Sequence, residues 1–144
     1  MKGGDFLKLN QDCVRSIMLF CEKNLKLDNV LRLQDFIDTP DLNYSSEDIK
    51  YTLEKLDETP YLNMQLISGS NSGIAGVFVN SITWKGHEFL DTIRDPKVWK
   101  ATKKIASHLE SVSIKILSNI GTGVINHLID KSMSSPSFFE KIGF

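Results

Sequence analysis

Histidines and cysteines are the side chains best suited to catalysis or metal binding, and this chain has three histidines and two cysteines. Glu88 follows His87, but adjacent residues in a helix point in different directions and do not form a catalytic pair. His108 and His127 have no partner close in sequence, and the set shows no metal-ligand spacing. We therefore expect no catalytic residue, no metal and no cofactor. His87 is interpreted as a packed, hydrogen-bonded side chain on the inward side of its helix, the side that also contains Trp84, Leu90 and Ile93.

The segment Gly121-Thr122-Gly123 is the closest approach to a phosphate-binding loop. It lacks the preceding strand and the third glycine of a nucleotide-binding fingerprint. No serine lies in a nucleophile elbow, and no pair of carboxylates stands apart from the ordinary surface charge. We interpret these glycines as sites of close helix packing or a kink, and we expect that the protein is not an enzyme.

Lysines are the best candidates for contacts with nucleic-acid phosphates. Asp95 followed by Pro96 is a strong signal for the start of a helix. At about 100° per residue, its predicted inward side contains Val98, Thr102, Ile105 and Leu109. The opposite side contains four lysines, here called the lysine face: Lys97, Lys100, Lys103 and Lys104. With Lys85, they give the segment 85–104 six basic residues against three acidic ones. We expect phosphate contacts here; the alternative is a solvated face without a ligand.

A second predicted helix begins near Ser45 and has Ile49, Leu53 and Leu56 on its inward side. The residues turned outward are Glu47, Asp48, Tyr51, Glu54, Lys55 and Glu58. Residues 47–58 contain five acids and two lysines, a net charge of −3. Such a helix is electrostatically disfavoured in a groove lined by phosphates. Tyr51 and Lys55 are its candidate DNA contacts, and the alternative is a solvated helix face.

The order of predicted elements indicates the fold. The helix that begins at Ser45 is followed by a strand at residues 61–67, a polar loop at 68–73 and a strand at 74–82. This order predicts the back half of a winged helix-turn-helix with a β-hairpin wing. A first helix is predicted over about residues 11–24, and further helices over 84–94, from 96, and over 113–131. The pattern between residues 27 and 37 fits either a short strand or the missing second helix. We expect an α+β, mostly helical fold.

Length and composition favour one globular domain. The chain has 144 residues, of which 41% are hydrophobic and 24% charged. We expect a winged-helix-like domain with a C-terminal helical extension over residues 1–131 and a flexible tail over 132–144. The formal net charge of −1 excludes a basic field over the whole molecule. No apolar run approaches the roughly 20 residues that cross a bilayer. Cys13 and Cys21 lie about 12 Å apart along one predicted helix, so we expect reduced thiols in a cytoplasmic protein.

Three segments resemble a known family. They are NQDCVR at residues 10–15, LEKLDE at 53–58 and TWKGHEFLDTIRD at 83–95, the last followed by Val98 and Trp99. On these segments the chain resembles the small bacterial and phage proteins of domain of unknown function 2513. The resemblance implies a winged-helix domain with added C-terminal helices and no known activity. Pro60 departs from the pattern, because winged helices often have a glycine before the first wing strand.

The predicted function is binding of double-stranded DNA by a non-enzymatic winged-helix protein, as in gene regulation. The alternative is a protein-interaction module that kept the winged-helix shape and lost the DNA surface. The last helix has more apolar residues than one side of a terminal helix needs, so a homodimer through this helix is also expected. These residues are Ile114, Leu117, Ile120, Val124, Ile125 and Leu128.

Overall fold

The computed structural model describes residues 8–69, 73–110 and 112–134. Within these ranges the chain forms six α-helices and one three-stranded antiparallel sheet, so the predicted α+β, mostly helical class is confirmed. The chain divides into two compact units with the boundary after Leu90, and each unit is described by itself. The single domain expected over residues 1–131 stays a prediction.

The N-terminal unit contains both secondary-structure types. Its elements are α1 (Gln11–Asn24), β1 (Leu31–Arg32), α2 (Leu33–Ile37), α3 (Ser46–Asp57), β2 (Leu62–Ser68), β3 (Ile74–Ile82) and most of α4 (Trp84–Ile93). The strand order in the sheet is β1-β3-β2. The ambiguous segment between residues 27 and 37 forms both predicted structures in succession, a two-residue strand and then a short helix.

Side-chain caps fix the beginnings of the two long helices of this unit. The Asn10 side chain accepts a hydrogen bond from the Cys13 backbone N–H at 3.0 Å. The Ser45 side chain accepts a hydrogen bond from the Asp48 backbone N–H at 3.1 Å. Both helices turn their apolar sides into one core with the sheet. The buried residues include Val14, Ile17, Met18, Ile49, Leu53, Leu56, Val77 and Val79.

The hairpin of β2 and β3 is antiparallel and pairs Met64 with Val79 and Leu66 with Val77. Ser68, expected in the loop, is the last residue of β2. The Gly69 N–H donates to the Gly73 carbonyl oxygen at 2.6 Å. Gly73 has a φ of 86°, a left-handed conformation that favours glycine. The rest of the predicted loop, residues 70–72, lies outside the described residues.

The start of α4 is held against the residue before β2. The Gly86 N–H donates to Thr83 Oγ1 at 3.0 Å, and the Thr83 hydroxyl donates to the Pro60 carbonyl. A Cβ atom on Gly86 would overlap the Tyr61 carbonyl oxygen, so only glycine allows this approach. One turn further on, the Phe89 ring stacks on the Tyr61 ring with centroids 4.5 Å apart.

This contact sets the rotation of α4 and corrects one prediction. Trp84 and His87 were expected on the inward side, but both are exposed, Trp84 by 81%. The buried side instead contains Gly86, Phe89, Leu90 and Ile93. The interpretation of His87 as a packed core side chain is therefore wrong, because the glycine contact turns that side of the helix to solvent.

The C-terminal unit contains the end of α4, α5 (Pro96–Ala106) and α6 (Ile114–Met133). Asp95 Oδ1 caps α5 by accepting from the backbone N–H groups of Lys97 and Val98, at 2.7 and 3.3 Å. Gly121 of α6 lies so close to α4 that a Cβ atom would be 2.5 Å from the Thr92 carbonyl oxygen. This agrees with the close helix contact predicted at that glycine.

Two further predictions for this unit need correction. Ile105 and Leu109, expected inward, are 47% and 48% exposed. Leu109 lies beyond the end of α5 at Ala106. Ile105 is exposed because the buried side of the helix is rotated toward Trp99. The predicted tail at residues 132–144 also begins too early, because α6 continues to Met133. Residues 135–144 lie outside the described part of the chain.

Candidate nucleic-acid interface

The lysine face lies on one side of α5, as the sequence predicted. Its four residues are exposed, and the buried side of the helix contains Val98, Trp99, Thr102 and Ala106. Among the described residues, no carboxylate lies within ion-pair distance of Lys97, Lys100 or Lys104. These three ammonium groups are therefore available to an anionic ligand.

Lys103 differs from the other three lysines. Its Nζ lies 6.0 Å from the centroid of the Trp99 ring, a cation–π contact on the same helix. At about 100° per residue, Lys97 and Lys104 lie opposite the centre of the buried side, whereas Lys103 lies at its flank. Lys103 thus covers an aromatic side chain, and the ligand-facing part of the lysine face is narrower than predicted.

The two candidate residues on α3 are close together, but Lys55 is already engaged. Its Nζ forms a salt bridge with Glu58 Oε2 at 2.9 Å and lies 5.6 Å from the Tyr51 ring centroid. The hydrogen bond to Glu58 raises the pKa of Lys55. Any phosphate contact at this residue would have to compete with its own carboxylate partner. The helix that would face DNA in a winged helix therefore offers little free positive charge.

The hairpin of β2 and β3 offers no positive charge. The chain has no Asp, Glu, Lys or Arg between Glu58 and Lys85, a span that includes all of β2 and β3. Lysine and arginine are the side chains that neutralise phosphate charge and release counterions, and this hairpin has neither. The signal lies in the sequence itself, as an uninterrupted uncharged segment from Thr59 to Trp84.

The boundary between the units also separates charge of opposite sign. Residues 1–90 contain nine basic and thirteen acidic residues, a net charge of −4. Residues 91–144 contain eight basic and five acidic residues, a net charge of +3. The overall charge of −1 conceals this difference, which appears only when the structure places the boundary.

The predicted site residues therefore divide into two groups. Tyr51 and Lys55 belong to the N-terminal unit, together with Lys85, which is exposed on α4. The lysine face belongs to the C-terminal unit. The structure brings Tyr51 and Lys55 together, and it brings the four lysines of α5 together.

The two cysteines lie in the interior of the N-terminal unit. Cys13 and Cys21 are free thiols buried in α1. Burial raises the pKa of Cys13 to about 11 and that of Cys21 to about 12. The described residues include no cluster of three or more His, Cys, Asp or Glu side chains that could hold a metal ion. In that same part of the chain, no helix is both long and apolar enough to cross a membrane.

Comparison with known proteins identifies the family. The model of a hypothetical protein family, DUF2513, matches residues 8–113. The chain belongs to this family. The matched region includes α1 to α5, and with them the lysine face, and it ends one residue before α6.

The chain is also similar to an individual protein over most of its length. An uncharacterised protein of Haemophilus influenzae is 26% identical over 124 residues, which cover 85% of this chain and 99% of the relative. No solved structure matches the chain. The DUF2513 resemblance seen in the sequence motifs is confirmed.

Proposed function

We propose that the N-terminal unit is a winged helix. Two features support this assignment. The element order α1-β1-α2-α3-β2-β3 contains three helices followed by a hairpin, and a short strand lies between the first two helices. That strand pairs antiparallel with β3, as Leu31 opposite Val79, so the hairpin continues into a three-stranded sheet.

We further propose that the protein acts by binding, not by catalysis, and that its ligand is duplex DNA in the cytoplasm. One observation supports this most: Lys97, Lys100 and Lys104 project from one side of α5, without a carboxylate partner in the described part of the chain, in a unit of net charge +3. From Lys97 to Lys104 the helix rises about 10 Å. Phosphates on one strand follow each other every 3.4 Å or so along the duplex axis, so the three lysines match a short run of phosphates.

The proposal places the phosphate contacts on α5 and not on α3. Residues 47–58 have a net charge of −3, and the hairpin has no charged residue. Burying an acidic helix among phosphates would oppose binding, whereas each lysine–phosphate contact releases a counterion and favours it. Such binding is sensitive to salt and tolerant of sequence, because backbone contacts do not distinguish bases.

Fluorescence anisotropy with a labelled mixed-sequence duplex tests the proposal. Three phosphate contacts predict that log affinity falls with log salt with a slope of about −2.7. Affinity should therefore drop by roughly 40-fold between about 50 and 200 mM salt. A second duplex of different sequence should bind equally well. Absence of binding at about 50 mM salt would refute DNA as the ligand.

A second candidate function is a protein-interaction module on the same scaffold. Trp84 is 81% exposed in the first turn of α4, and the hairpin is uncharged. Exposed tryptophans are frequent anchors in protein interfaces, and uncharged surfaces are easier to desolvate than charged ones. This candidate predicts that neither the wild-type protein nor any lysine variant binds duplex DNA.

A further inference from the structure

A groove in the C-terminal unit has two chemically different sides. It has a volume of about 470 Å³, in the size range of small-molecule sites. Its apolar lining residues are Val98, Ile125, Leu128, Ile129 and Met133. Three of them leave much of their surface to solvent, since Leu128, Ile129 and Met133 are 47%, 47% and 49% exposed. Exposed apolar area of this kind favours a ligand that covers it.

The other lining residues include two carboxylates at the corner between α4 and α5, Asp91 and Asp95. Asp91 forms a salt bridge through Oδ1 with Arg94 at 2.8 Å, with which an ammonium group would compete, and Asp95 uses Oδ1 to cap α5. The described residues place no hydrogen bond on either Oδ2 atom. Asp91 also lies in the last turn of α4, where the helix dipole favours a cation.

We propose that this groove binds a small apolar primary amine, with the ammonium group at Asp91 and Asp95 and the hydrocarbon part on the apolar residues of α6. An ammonium group has three N–H donors, which suits a groove whose lining offers more than one carboxylate oxygen. The hydrocarbon part removes the exposed surface of Leu128, Ile129 and Met133 from water. This inference does not depend on DNA binding.

A second copy of the chain fits the groove less well. A two-fold contact brings the same patch of both subunits together. The homodimer predicted through α6 would then bring Asp91 and Asp95 of one copy toward those of the other. Like charges at such an interface oppose association, whereas an ammonium group neutralises them. The dimer therefore competes with the amine for Ile125 and Leu128, and the test must separate the two occupants.

The experiment titrates the full-length protein with octylamine, octanol and octanoate, which share a chain length and differ in charge. Calorimetry gives the affinity, and NMR of Ile, Leu, Val and Met methyl groups gives the location. Octylamine should bind best and shift the methyl signals of Val98, Leu128 and Met133. Octanol should bind more weakly, and octanoate should bind least.

Charge-neutralising variants test the carboxylates. Asp91→Asn and Asp95→Asn should each weaken octylamine binding about threefold and leave octanol binding unchanged. Asparagine is also a good N-cap, so Asp95→Asn keeps the start of α5. Asp130→Asn is the matched control, because Asp130 is an exposed acid of α6 that does not line the groove. The Asp130→Asn protein should bind octylamine with the affinity of the wild type.

Three results would overturn the inference. Equal binding of octylamine and octanol would show that the carboxylates play no part. Methyl shifts confined to residues outside the groove would place the amine elsewhere. Sedimentation that shows a dimer, dissociated by Leu128→Asp and unaffected by octylamine, would make a second copy the occupant.

Discussion

The two units of this chain differ in the property that matters most for binding nucleic acid. The N-terminal unit contains α3 and the hairpin, the elements that would face DNA in the winged helix proposed above, yet its net charge is −4. In the C-terminal unit, whose net charge is +3, the described residues form helices and no strand. In the function proposed above, the shape that suits DNA and the positive charge that suits phosphates therefore lie in different parts of the chain.

The largest change in stability is expected at the contact that fixes α4 in the N-terminal unit. Gly86→Ala places a Cβ atom against the Tyr61 carbonyl and 2.7 Å from Ile82 Cγ2. We expect a loss of about 3 kcal/mol in the free energy of unfolding, measured by chemical denaturation. Lys85→Ala, an exposed neighbour in the same turn, is the control and should change stability by less than about 0.5 kcal/mol. A Gly86→Ala protein as stable as the wild type would contradict the described packing.

In the C-terminal unit, the close approach of Gly121 to Thr92 is expected to matter less for stability, and Gly123 in the same helix provides a control. Gly121→Ala should cost about 2 kcal/mol, because its Cβ would be 2.5 Å from the Thr92 carbonyl oxygen. Gly123, two residues later in α6, has no atom within 4 Å of a built Cβ. Gly123→Ala should therefore stabilise the helix by up to about 1 kcal/mol. Equal effects of both substitutions would show that α6 does not approach Thr92.

Thiol titration should affect only the N-terminal unit, which contains both cysteines. An unfolded thiol ionises near pH 9, while burial raises the pKa of Cys13 to about 11 and of Cys21 to about 12. Above pH 9 the unfolded state therefore loses protons that the folded state keeps, and stability falls as the pH rises. Denaturation midpoints at pH 8 and 10 should show this decrease. The Cys13→Ala/Cys21→Ala protein should lose most of it, and an unchanged pH dependence would mean that other groups cause the decrease.

The smallest effect is expected at His87, which the structure exposes. His87→Gln should change the free energy of unfolding by less than about 0.5 kcal/mol and leave any binding activity intact. Thermal denaturation and duplex binding measure both quantities. A loss of more than about 1 kcal/mol would support the packed histidine predicted from sequence.

Local chemistry made much of the fold predictable. Asn10, Ser45 and the pair Asp95-Pro96 begin α1, α3 and α5 where expected, because caps act within one turn of the chain. The helical period also placed Ile49 and Leu53 in the core. Such signals depend on neighbouring residues alone, so the sequence contains them in full.

The predictions failed where contacts between residues far apart in the sequence determine the structure. The rotation of α4 depends on Gly86 meeting Tyr61, 25 residues earlier in the chain, so the helical period alone misplaced Trp84 and His87. The lysine face was predictable from its period on α5, but the salt bridge of Lys55 and the ring contact of Lys103 were not. The opposite charges of the two units needed a boundary that only the structure provides.

The salt dependence of duplex affinity tests the central claim most directly, with two variants that remove equal charge from different units. Lys97→Ala/Lys100→Ala/Lys104→Ala removes the three lysines of the lysine face that have no carboxylate partner among the residues the structure describes. Lys50→Ala/Lys55→Ala/Lys85→Ala removes three lysines of the N-terminal unit. Circular dichroism confirms that both proteins remain folded.

We predict that the first variant reduces the magnitude of the salt slope by about 2.7 and that the second leaves the slope within about 0.5 of the wild type. The opposite result, an unchanged slope in the first variant and a lost slope in the second, would place the phosphate contacts on the N-terminal unit and contradict the proposed function.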